Sequence, residues 1–269
     1  MSCINSNILA GASGAAGGGP PYVDDVFSTY LYEGNGSTKT ITNGIDISGE
    51  GGLVWLKRRD GITENSLSDT VRGAGKRLTT DKKWESVTSN TAVSAFNNNG
   101  FTINTTDGMI NGTGGDYVSW TFRKAPGFFD VVTYTGTGSN RTIAHNLGSV
   151  PGMIIVKVTT NNSEKWCVYH RSTGATKFIE LNDDNPALTR SQSWNNTSPT
   201  STEFTVGTDN EVNQSGQTFI AYLFAHDEPV FGANEDESII KCGSYTGSGA
   251  SNTPVNLGFE PQWLMIKRT

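Results

Sequence analysis

The sequence predicts an all-β protein: tandem antiparallel β-sandwich repeats, jelly-roll-like, that follow a flexible N-terminal anchor peptide. Three observations lead to this prediction. Gly, Thr, Ser and Asn number 32, 33, 25 and 24 among the 269 residues, and these side chains favour turns and strands over helices. The chain contains an internal repeat, the signature of tandem supersecondary units. Short runs rich in β-branched and aromatic residues, bounded by turn residues, recur through that repeat.

The first 25 residues differ in composition from the rest of the chain. The stretch from Gly11 to Pro21 reads GASGAAGGGPP and has almost no side chains to bury. We predict that residues 1–25 form an extended anchor peptide that orders when it docks on a partner. A disordered terminus is the alternative. The predicted contacts of the anchor with its partner are Ile4, Ile8, Leu9 and Tyr22.

The internal repeat is marked by three tyrosines and by three lysines that close apolar runs. Tyr32, Tyr134 and Tyr245 each begin a Tyr-x-Gly turn, and they lie 102 and 111 positions apart. The lysines are Lys57, Lys157 and Lys267. The predicted organisation is the anchor at 1–25, a first β-sandwich repeat at 26–127, a second at 128–236 and the start of a truncated third at 237–269.

The last strand of each repeat gives the clearest pattern. Trp120 and Phe122 recur as Tyr222 and Phe224, each 102 positions later. Side chains alternate between the two faces of a strand, and in both repeats only the face with these aromatic residues is consistently apolar. We therefore expect that face to point to the core.

The third repeat reaches only its first apolar run before Thr269. The strands that correspond to Phe204 and Phe219 are missing from it, so we expect the native polypeptide to be longer than this chain. The alternative is strand addition, in which the last segment completes a sheet of a neighbouring chain.

Charge and cysteine usage argue against several function classes. The net charge is −6, with 20 basic and 26 acidic residues, whereas binding to nucleic acid or to an anionic membrane needs a basic face. We expect neither nucleic acid as a partner nor insertion into a membrane, and the N terminus is a poor match to a signal peptide. Cys3, Cys167 and Cys242 are too few and too widely spaced for a disulfide framework or a four-ligand zinc site, so we expect reduced thiols.

Catalytic patterns do not emerge from the sequence. His145, His170 and His226 have no second histidine at metal-ligand spacing. The paired acids lie in predicted loops, and the Gly-rich strings lie between strands without the lysine of a phosphate-binding loop. The sequence therefore predicts a protein that is not an enzyme and holds neither a metal nor a cofactor.

The chain contains the segments DTVRGAGKRLTTD (Asp69 to Asp81), NGTGGDYVSWTFRKAPGFFDVVTYTGTG (Asn111 to Gly138) and WCVYHRSTG (Trp166 to Gly174). These segments resemble a repeat found in virion proteins of tailed bacteriophages, of the tail-fibre type known from phages of marine bacteria and cyanobacteria. The resemblance covers residues 26 to 269. The first repeat departs from the pattern at Gly49 to Gly52, where a glycine-rich stretch replaces Leu-Gly-x-x-Pro.

This resemblance implies a non-enzymatic structural virion protein, assembled in the host cytoplasm into a homotrimeric tail fibre. Its N terminus would bind a tail adaptor, nozzle or baseplate protein, and its distal end would meet a host surface glycan or receptor. Two alternatives remain: a lectin-like array of carbohydrate-binding modules, and a capsid-attached fibre or decoration protein. The candidate glycan contacts are Trp166 and Trp194, because exposed indoles stack on sugar rings. A polysaccharide depolymerase has the least support.

Overall fold

The computed structural model describes residues 21–249 and 253–269. Seventeen strands and three four-residue helices form the regular structure of these residues, and every strand pairing is antiparallel. The prediction of an all-β, sandwich-type fold is confirmed. The helices are one turn long, as expected where Gly, Asn, Ser and Thr compete with the helical backbone for hydrogen bonds.

The first unit begins with α1 (Val23–Val26) and ends with β9. A four-stranded sheet, in the order β1-β9-β3-β4, faces a three-stranded sheet in the order β2-β8-β7, and β5 pairs with β6. Its strands are β1 (Phe27–Glu33), β2 (Thr38–Thr42), β3 (Gly52–Arg58), β4 (Ser66–Asp69), β5 (Lys76–Arg77), β6 (Val87–Thr88), β7 (Val93–Asn97), β8 (Gly100–Asn104) and β9 (Asp116–Arg123).

The second unit repeats this arrangement. A six-stranded sheet in the order β10-β17-β12-β13-β14-β15 faces the pair β11-β16. Its elements are β10 (Phe129–Thr135), β11 (Arg141–Ala144), β12 (Met153–Val158), β13 (Cys167–His170), β14 (Lys177–Glu180), β15 (Leu188–Thr189), α2 (Ser191–Trp194), β16 (Glu203–Val206), α3 (Asn210–Asn213) and β17 (Thr218–Phe224).

The strand register is the same in the two units. Phe27 lies opposite Phe122 in the pair β1–β9, and Phe129 lies opposite Phe224 in the pair β10–β17. Both residues of the second pair are 102 positions after their counterparts in the first. The sequence repeat is therefore a structural repeat, down to the residues that face one another across the sheet.

The marker tyrosines explain why the repeat carries Tyr-x-Gly. Tyr32 Oη donates to the Ile110 carbonyl at 2.7 Å, and Tyr134 Oη donates to the Val212 carbonyl at 2.6 Å. Both tyrosines are buried, and each is stacked on the aromatic residue opposite it in the sheet. Tyr245, the third marker, is 51% exposed.

The glycine two residues after the tyrosine is required by close packing. A Cβ atom on Gly34 would lie 2.2 Å from the Gly112 carbonyl oxygen, and one on Gly136 would lie 2.2 Å from the Gln214 carbonyl oxygen. Real Cβ atoms do not approach backbone so closely, so only glycine fits at these two turns.

Each sandwich has its own apolar core, and a third core lies between the units. The core of unit 1 includes Tyr32, Ile41, Val54, Leu56, Val93, Phe101, Ile103 and Tyr117. The core of unit 2 includes Tyr134, Ile143, Ile154, Val156, Trp194, Phe204, Phe219 and Leu223. The third cluster, which we call the joint core, combines Phe27, Leu53, Trp55 and Phe122 of unit 1 with Phe129, Ile155, Trp166, Tyr222 and Phe224 of unit 2.

The aromatic face of β9 points to a core, as expected, and that core is the joint core between the units. Phe122 belongs to the joint core and Trp120 packs against it. The opposite face of the strand is buried too, and it carries small polar side chains. Thr121 Oγ1 accepts a hydrogen bond from Asn43 Nδ2 at 2.8 Å, which satisfies this hydroxyl inside the sandwich.

Candidate functional site

The joint between the two units is the most elaborate site in the described part of the chain, and aromatic rings form its centre. The ring centroids of Phe122 and Phe129 are 5.6 Å apart, and those of Phe122 and Phe224 are 5.5 Å apart. Aromatic pairs at such distances contribute beyond the burial of their area. Because these rings come from both units, the two sandwiches form one packed body.

Trp166 connects unit 2 to unit 1. Its indole Nε1 donates to the carbonyl oxygens of Thr79 and Lys82, at 3.2 and 3.0 Å. Its ring stacks on Tyr222 with centroids 6.5 Å apart, and none of its surface is exposed. Stacking on a sugar needs an exposed ring face, so the proposed glycan contact at Trp166 is wrong for this structure.

Trp194 is likewise buried, in the core of unit 2. It is 1% exposed and makes an edge contact with Tyr169, with ring centroids 5.9 Å apart. The adjacent Asn195 and Asn196 have left-handed backbone angles (φ 50° and 52°), and this turn directs the preceding indole inward. The second glycan contact is therefore also wrong, because this indole has no exposed face on which a sugar could stack.

A buried ionic network lies at the edge of the joint core. Arg72 Nε donates to Asp69 Oδ2 at 2.6 Å, and Tyr222 Oη donates to the same oxygen at 2.8 Å. Asp69 Oδ1 accepts from the Arg72 backbone N–H at 2.8 Å, and Arg72 Nη1 donates to Ser86 Oγ at 2.9 Å. Asp69 and Arg72 belong to unit 1 and Tyr222 to unit 2, so the network fixes the units in one register.

Burial controls the protonation of this network. Desolvation raises the pKa of Tyr222 well above its usual value, and its contact with the Asp69 charge adds to that rise. Desolvation opposes the charge on Arg72, but Tyr222 and Asp69 outweigh it and the pKa of the guanidinium is raised. Tyr222 therefore stays a neutral hydrogen-bond donor to a carboxylate that is paired with a permanent cation.

Lys157 supplies a second polar link between the units. Its side chain is fully buried, and Nζ donates to the carbonyl oxygens of Lys83 in unit 1 and Glu164 in unit 2, both at 2.8 Å. Desolvation lowers the pKa of Lys157 to about 8. The link is a pair of directed hydrogen bonds to backbone carbonyls, a role that its place in the sequence repeat did not reveal.

The three histidines each stabilise a loop or a chain reversal. His145 Nδ1 accepts from the Leu147 backbone N–H at 3.2 Å, and His170 Nδ1 accepts from that of Ser172 at 3.2 Å. His226 Nδ1 accepts from the backbone N–H of Cys242 at 3.1 Å. Each imidazole ring thus accepts a backbone hydrogen bond in a loop or chain reversal.

The described cysteines are buried, and the described acidic side chains form no metal-binding cluster. Cys167 and Cys242 are free and buried, and desolvation raises the pKa of Cys242 to about 12. Within residues 21–249 and 253–269, no cluster of three or more His, Cys, Asp or Glu side chains has the geometry to hold a metal ion. Over the same residues, no helix is long and apolar enough to cross a membrane.

The predicted anchor contacts Ile4, Ile8 and Leu9 lie outside the described residues. Tyr22, the fourth, is 48% exposed and directly precedes α1, where its backbone N–H donates to Asp25 Oδ2 at 2.8 Å. The Pro21 carbonyl accepts from the Gly232 backbone N–H at 3.1 Å. Pro21 therefore lies beside the end of unit 2, and the ring of the adjacent Tyr22 is available to a partner.

Glu211 is the acid whose environment most favours the neutral form. Burial, reinforced by the neighbouring Asp209 charge, raises the pKa of Glu211 to about 7. Arg190 Nη1 lies 2.8 Å from Asp209 Oδ2 and 3.3 Å from Glu211 Oε2, and its hydrogen bond goes to Asp209. Burial thus disfavours the ionised form of Glu211, and the folded state loses stability at pH values where this side chain ionises.

Replacing Glu211 with glutamine should change the pH dependence of stability. A glutamate in the unfolded chain ionises near pH 4.3. Glu211 therefore contributes fully to the stability of the folded state below that pH, and this contribution is lost as pH rises through about 7. We compare the free energy of unfolding of Glu211→Gln with that of the parent. Between pH 5 and pH 8 this difference should shift in favour of the variant by about 1–2 kcal/mol, after allowance for solvent screening. Urea denaturation at both pH values measures this difference. Glu50→Gln, at an exposed position, should show no such gain, and an equal effect of Glu211→Gln at both pH values would contradict the prediction.

The fold and the joint define a class of protein: tandem β-sandwich units fixed to each other by a common aromatic core. Comparison with protein families matches residues 23–269 to the family described as Domain of unknown function (DUF7483), and the chain belongs to that family. Comparisons with curated proteins and with solved structures find no match.

Proposed function

We propose that this chain is a structural virion protein of a tailed bacteriophage, of the tail-fibre type. Its N-terminal peptide attaches to a tail adaptor, nozzle or baseplate protein, and its β-units project toward the host surface for adsorption. The observation that carries the proposal is the joint, which makes one rigid body of two repeated units. A fibre must transmit the position of its tip to its base, and a fixed joint does so.

Each of the three segments that carry the resemblance to phage virion proteins contributes residues to the joint. In the segment Asp69 to Asp81, Asp69 and Arg72 form the ionic network and the Thr79 carbonyl accepts from Trp166. In the segment Asn111 to Gly138, Phe122 and Phe129 belong to the joint core. The likeness therefore includes residues that connect the two units, which supports a structural role.

Assembly as a parallel homotrimer is part of the proposal, because closed symmetry would align three N-terminal peptides on one partner. Weak contacts by each peptide would then add up to stable attachment. Sedimentation of the purified chain and of the particle-bound form measures this state.

Removal of residues 2–19 should abolish incorporation of the protein into particles and leave the β-units folded. Each apolar side chain buried in a partner pocket contributes about 1.5–3 kcal/mol, and the deletion removes Ile4, Ile8 and Leu9 from every copy. The measurement is the copy number in purified virions, by quantitative mass spectrometry, with circular dichroism of the isolated protein.

The matched control keeps both the apolar residues and the length of the peptide and changes only its glycine-rich stretch. Replacing residues 11–19 with a Gly/Ser stretch of equal length keeps Ile4, Ile8 and Leu9, and this variant should be incorporated normally. Incorporation of the deleted protein at the parental copy number would overturn the role of the N terminus as the anchor.

A lectin-like array and a capsid-attached fibre or decoration protein are the alternative proposals. With Trp166 and Trp194 buried, the indole open to a sugar is Trp84, which is 44% exposed with Lys82 Nζ 5.7 Å from the ring centroid. Glycan-array binding that depends on Trp84 would favour the lectin. Labelling of the N terminus in particle images would separate attachment to the capsid from attachment to the tail.

A further inference from the structure

Residues 262–268 of the third repeat pack on the joint core. The Trp263 ring lies 6.2 Å from Trp55, 5.4 Å from Phe122 and 6.4 Å from Phe224, measured between centroids. The Gln262 carbonyl accepts from Thr29 Oγ1 at 3.3 Å. We call residues 262–268 the third segment. It contacts both units, so three repeats meet at one core.

The third segment is related to unit 2 as unit 2 is related to unit 1. Lys267 occupies the place of Lys157 in the repeat, and its Nζ donates to the Asp183 carbonyl. Lys157 Nζ donates to the Lys83 carbonyl, which lies 100 residues before Asp183. The same inter-unit link is therefore made twice, and the third segment lies where the β3- or β12-type strand of a further unit belongs.

Only one face of the third segment is covered. Trp263 and Met265 pack against the joint core, whereas Leu264 and Ile266 are 61% and 68% exposed. The counterparts of these two residues are at most 1% exposed in both complete units, where the rest of the sandwich covers them: Val54, Leu56, Ile154 and Val156.

The backbone of the third segment lacks the pairing of its counterparts. In unit 1, β3 pairs with β9, with Leu53 opposite Phe122; in unit 2, β12 pairs with β17, with Met153 opposite Phe224. Residues 263–268 make no backbone-to-backbone hydrogen bond with any residue that the structure describes. An unpaired edge with alternating apolar side chains is a template for an added strand.

An open groove of about 520 Å³ lies beside this segment, between Asp81 and Trp55 of unit 1, Asp183 of unit 2 and Met265. In the joint between units 1 and 2, residues 79–82 accept the Trp166 indole. The equivalent loop of unit 2, which includes Asn182 and Asp183, lines the groove. The surroundings of the third segment thus leave room for more of a repeat.

We propose that the third segment is the docking site for an antiparallel β-strand of the β9 and β17 type, which pairs with it on the joint core as β9 pairs with β3 and β17 pairs with β12. The two complete units specify the register. The residue opposite Leu264 corresponds to Thr121 or Leu223, and the residue opposite Ile266 corresponds to Ser119 or Ala221. The aromatic residues of the incoming strand then lie beside Trp263 and Met265.

Binding of a peptide to the full chain tests this assignment. The probe is a fluorescein-labelled peptide of residues 113–124, TGGDYVSWTFRK, which contains β9. We expect saturable binding by fluorescence anisotropy, weakened roughly tenfold or more by Leu264→Asp with Ile266→Asp. Both positions are exposed in the free chain, so this double variant should keep its fold, which circular dichroism verifies.

The controls make the result specific to this site. Ile62→Asp with Val150→Asp places the same charges at exposed positions elsewhere and should bind the peptide like the parent. A peptide of identical composition in shuffled order should not bind. The proposal is overturned by no saturable binding, by equal binding of the shuffled peptide, or by a concentration-dependent dimer that Leu264→Asp with Ile266→Asp abolishes, since the occupant would then be a second copy.

Discussion

Replacing Trp166 with alanine should lower the free energy of unfolding by about 3–5 kcal/mol, the range for a fully buried tryptophan. The indole is completely buried, and it is stacked on Tyr222. Its truncation opens a cavity in the joint core and leaves the Thr79 and Lys82 carbonyls without the Nε1 donor. The cavity and the lost hydrogen bonds both weaken the contact between the units. Unfolding should therefore become less cooperative, and its midpoint should shift to a lower denaturant concentration.

Chemical denaturation followed by far-UV circular dichroism measures the change, and Trp84→Ala is the matched control. Trp84 is 44% exposed, and its specific contact is a cation–π interaction with Lys82. Its truncation should cost at most about 1 kcal/mol. If the two variants lose equal stability, Trp166 does not hold the joint.

The repeat could be predicted from the sequence because it is local and periodic. Tyr-x-Gly turns, alternating strands and the 102-residue offset between Phe122 and Phe224 are all visible along the chain. These features depend on backbone geometry that any copy of the unit must share. They therefore predicted the β-sandwich class and the structural equivalence of the two units.

The joint could not be predicted, because it depends on how one unit meets the next. The alternation in β9 marked the face with Phe122 as apolar, but a single strand does not reveal whether an apolar face covers its own sandwich or a neighbour. The same limit applies to Trp166, whose hydrogen-bond acceptors lie 84 and 87 residues earlier in the chain. Long-range contacts of this kind produce no periodic pattern in the amino-acid sequence.

A joint with both an apolar core and a buried ionic network has two separate effects. The aromatic rings supply most of the favourable free energy, because burial of apolar area is the dominant favourable term in folding. This burial is not directional, so it does not by itself fix the orientation of the units. The Asp69–Arg72–Tyr222 network adds direction, since its hydrogen bonds form in one relative position of the units. An orientation fixed in this way is what the proposed fibre requires.

Replacing Asp69 with alanine should destabilise the chain by about 3–5 kcal/mol, the cost of leaving a buried charge without its partner. The side chains of Arg72 and Asp69 are 7% and 0% exposed, with Nη2 of Arg72 2.6 Å from Oδ2 of Asp69. The variant leaves the guanidinium in the interior without a carboxylate, and Tyr222 Oη loses its acceptor. Urea denaturation at neutral pH measures the loss, and Asp60→Ala, at an exposed pair with Arg58, should change stability far less.

A double-mutant cycle then separates the buried charge from the loss of packing. Asp69→Ala with Arg72→Met removes both charges, and an apolar replacement of a buried ion pair is often nearly neutral. We expect the double variant to be more stable than Asp69→Ala alone, with a coupling free energy of about 2 kcal/mol or more between neighbours in contact. Tyr222→Phe, which deletes one hydrogen bond to Asp69 and keeps the ring, should cost about 1 kcal/mol. If the double variant is as unstable as the sum of its single variants, Asp69 acts through packing and not through the charge that it neutralises.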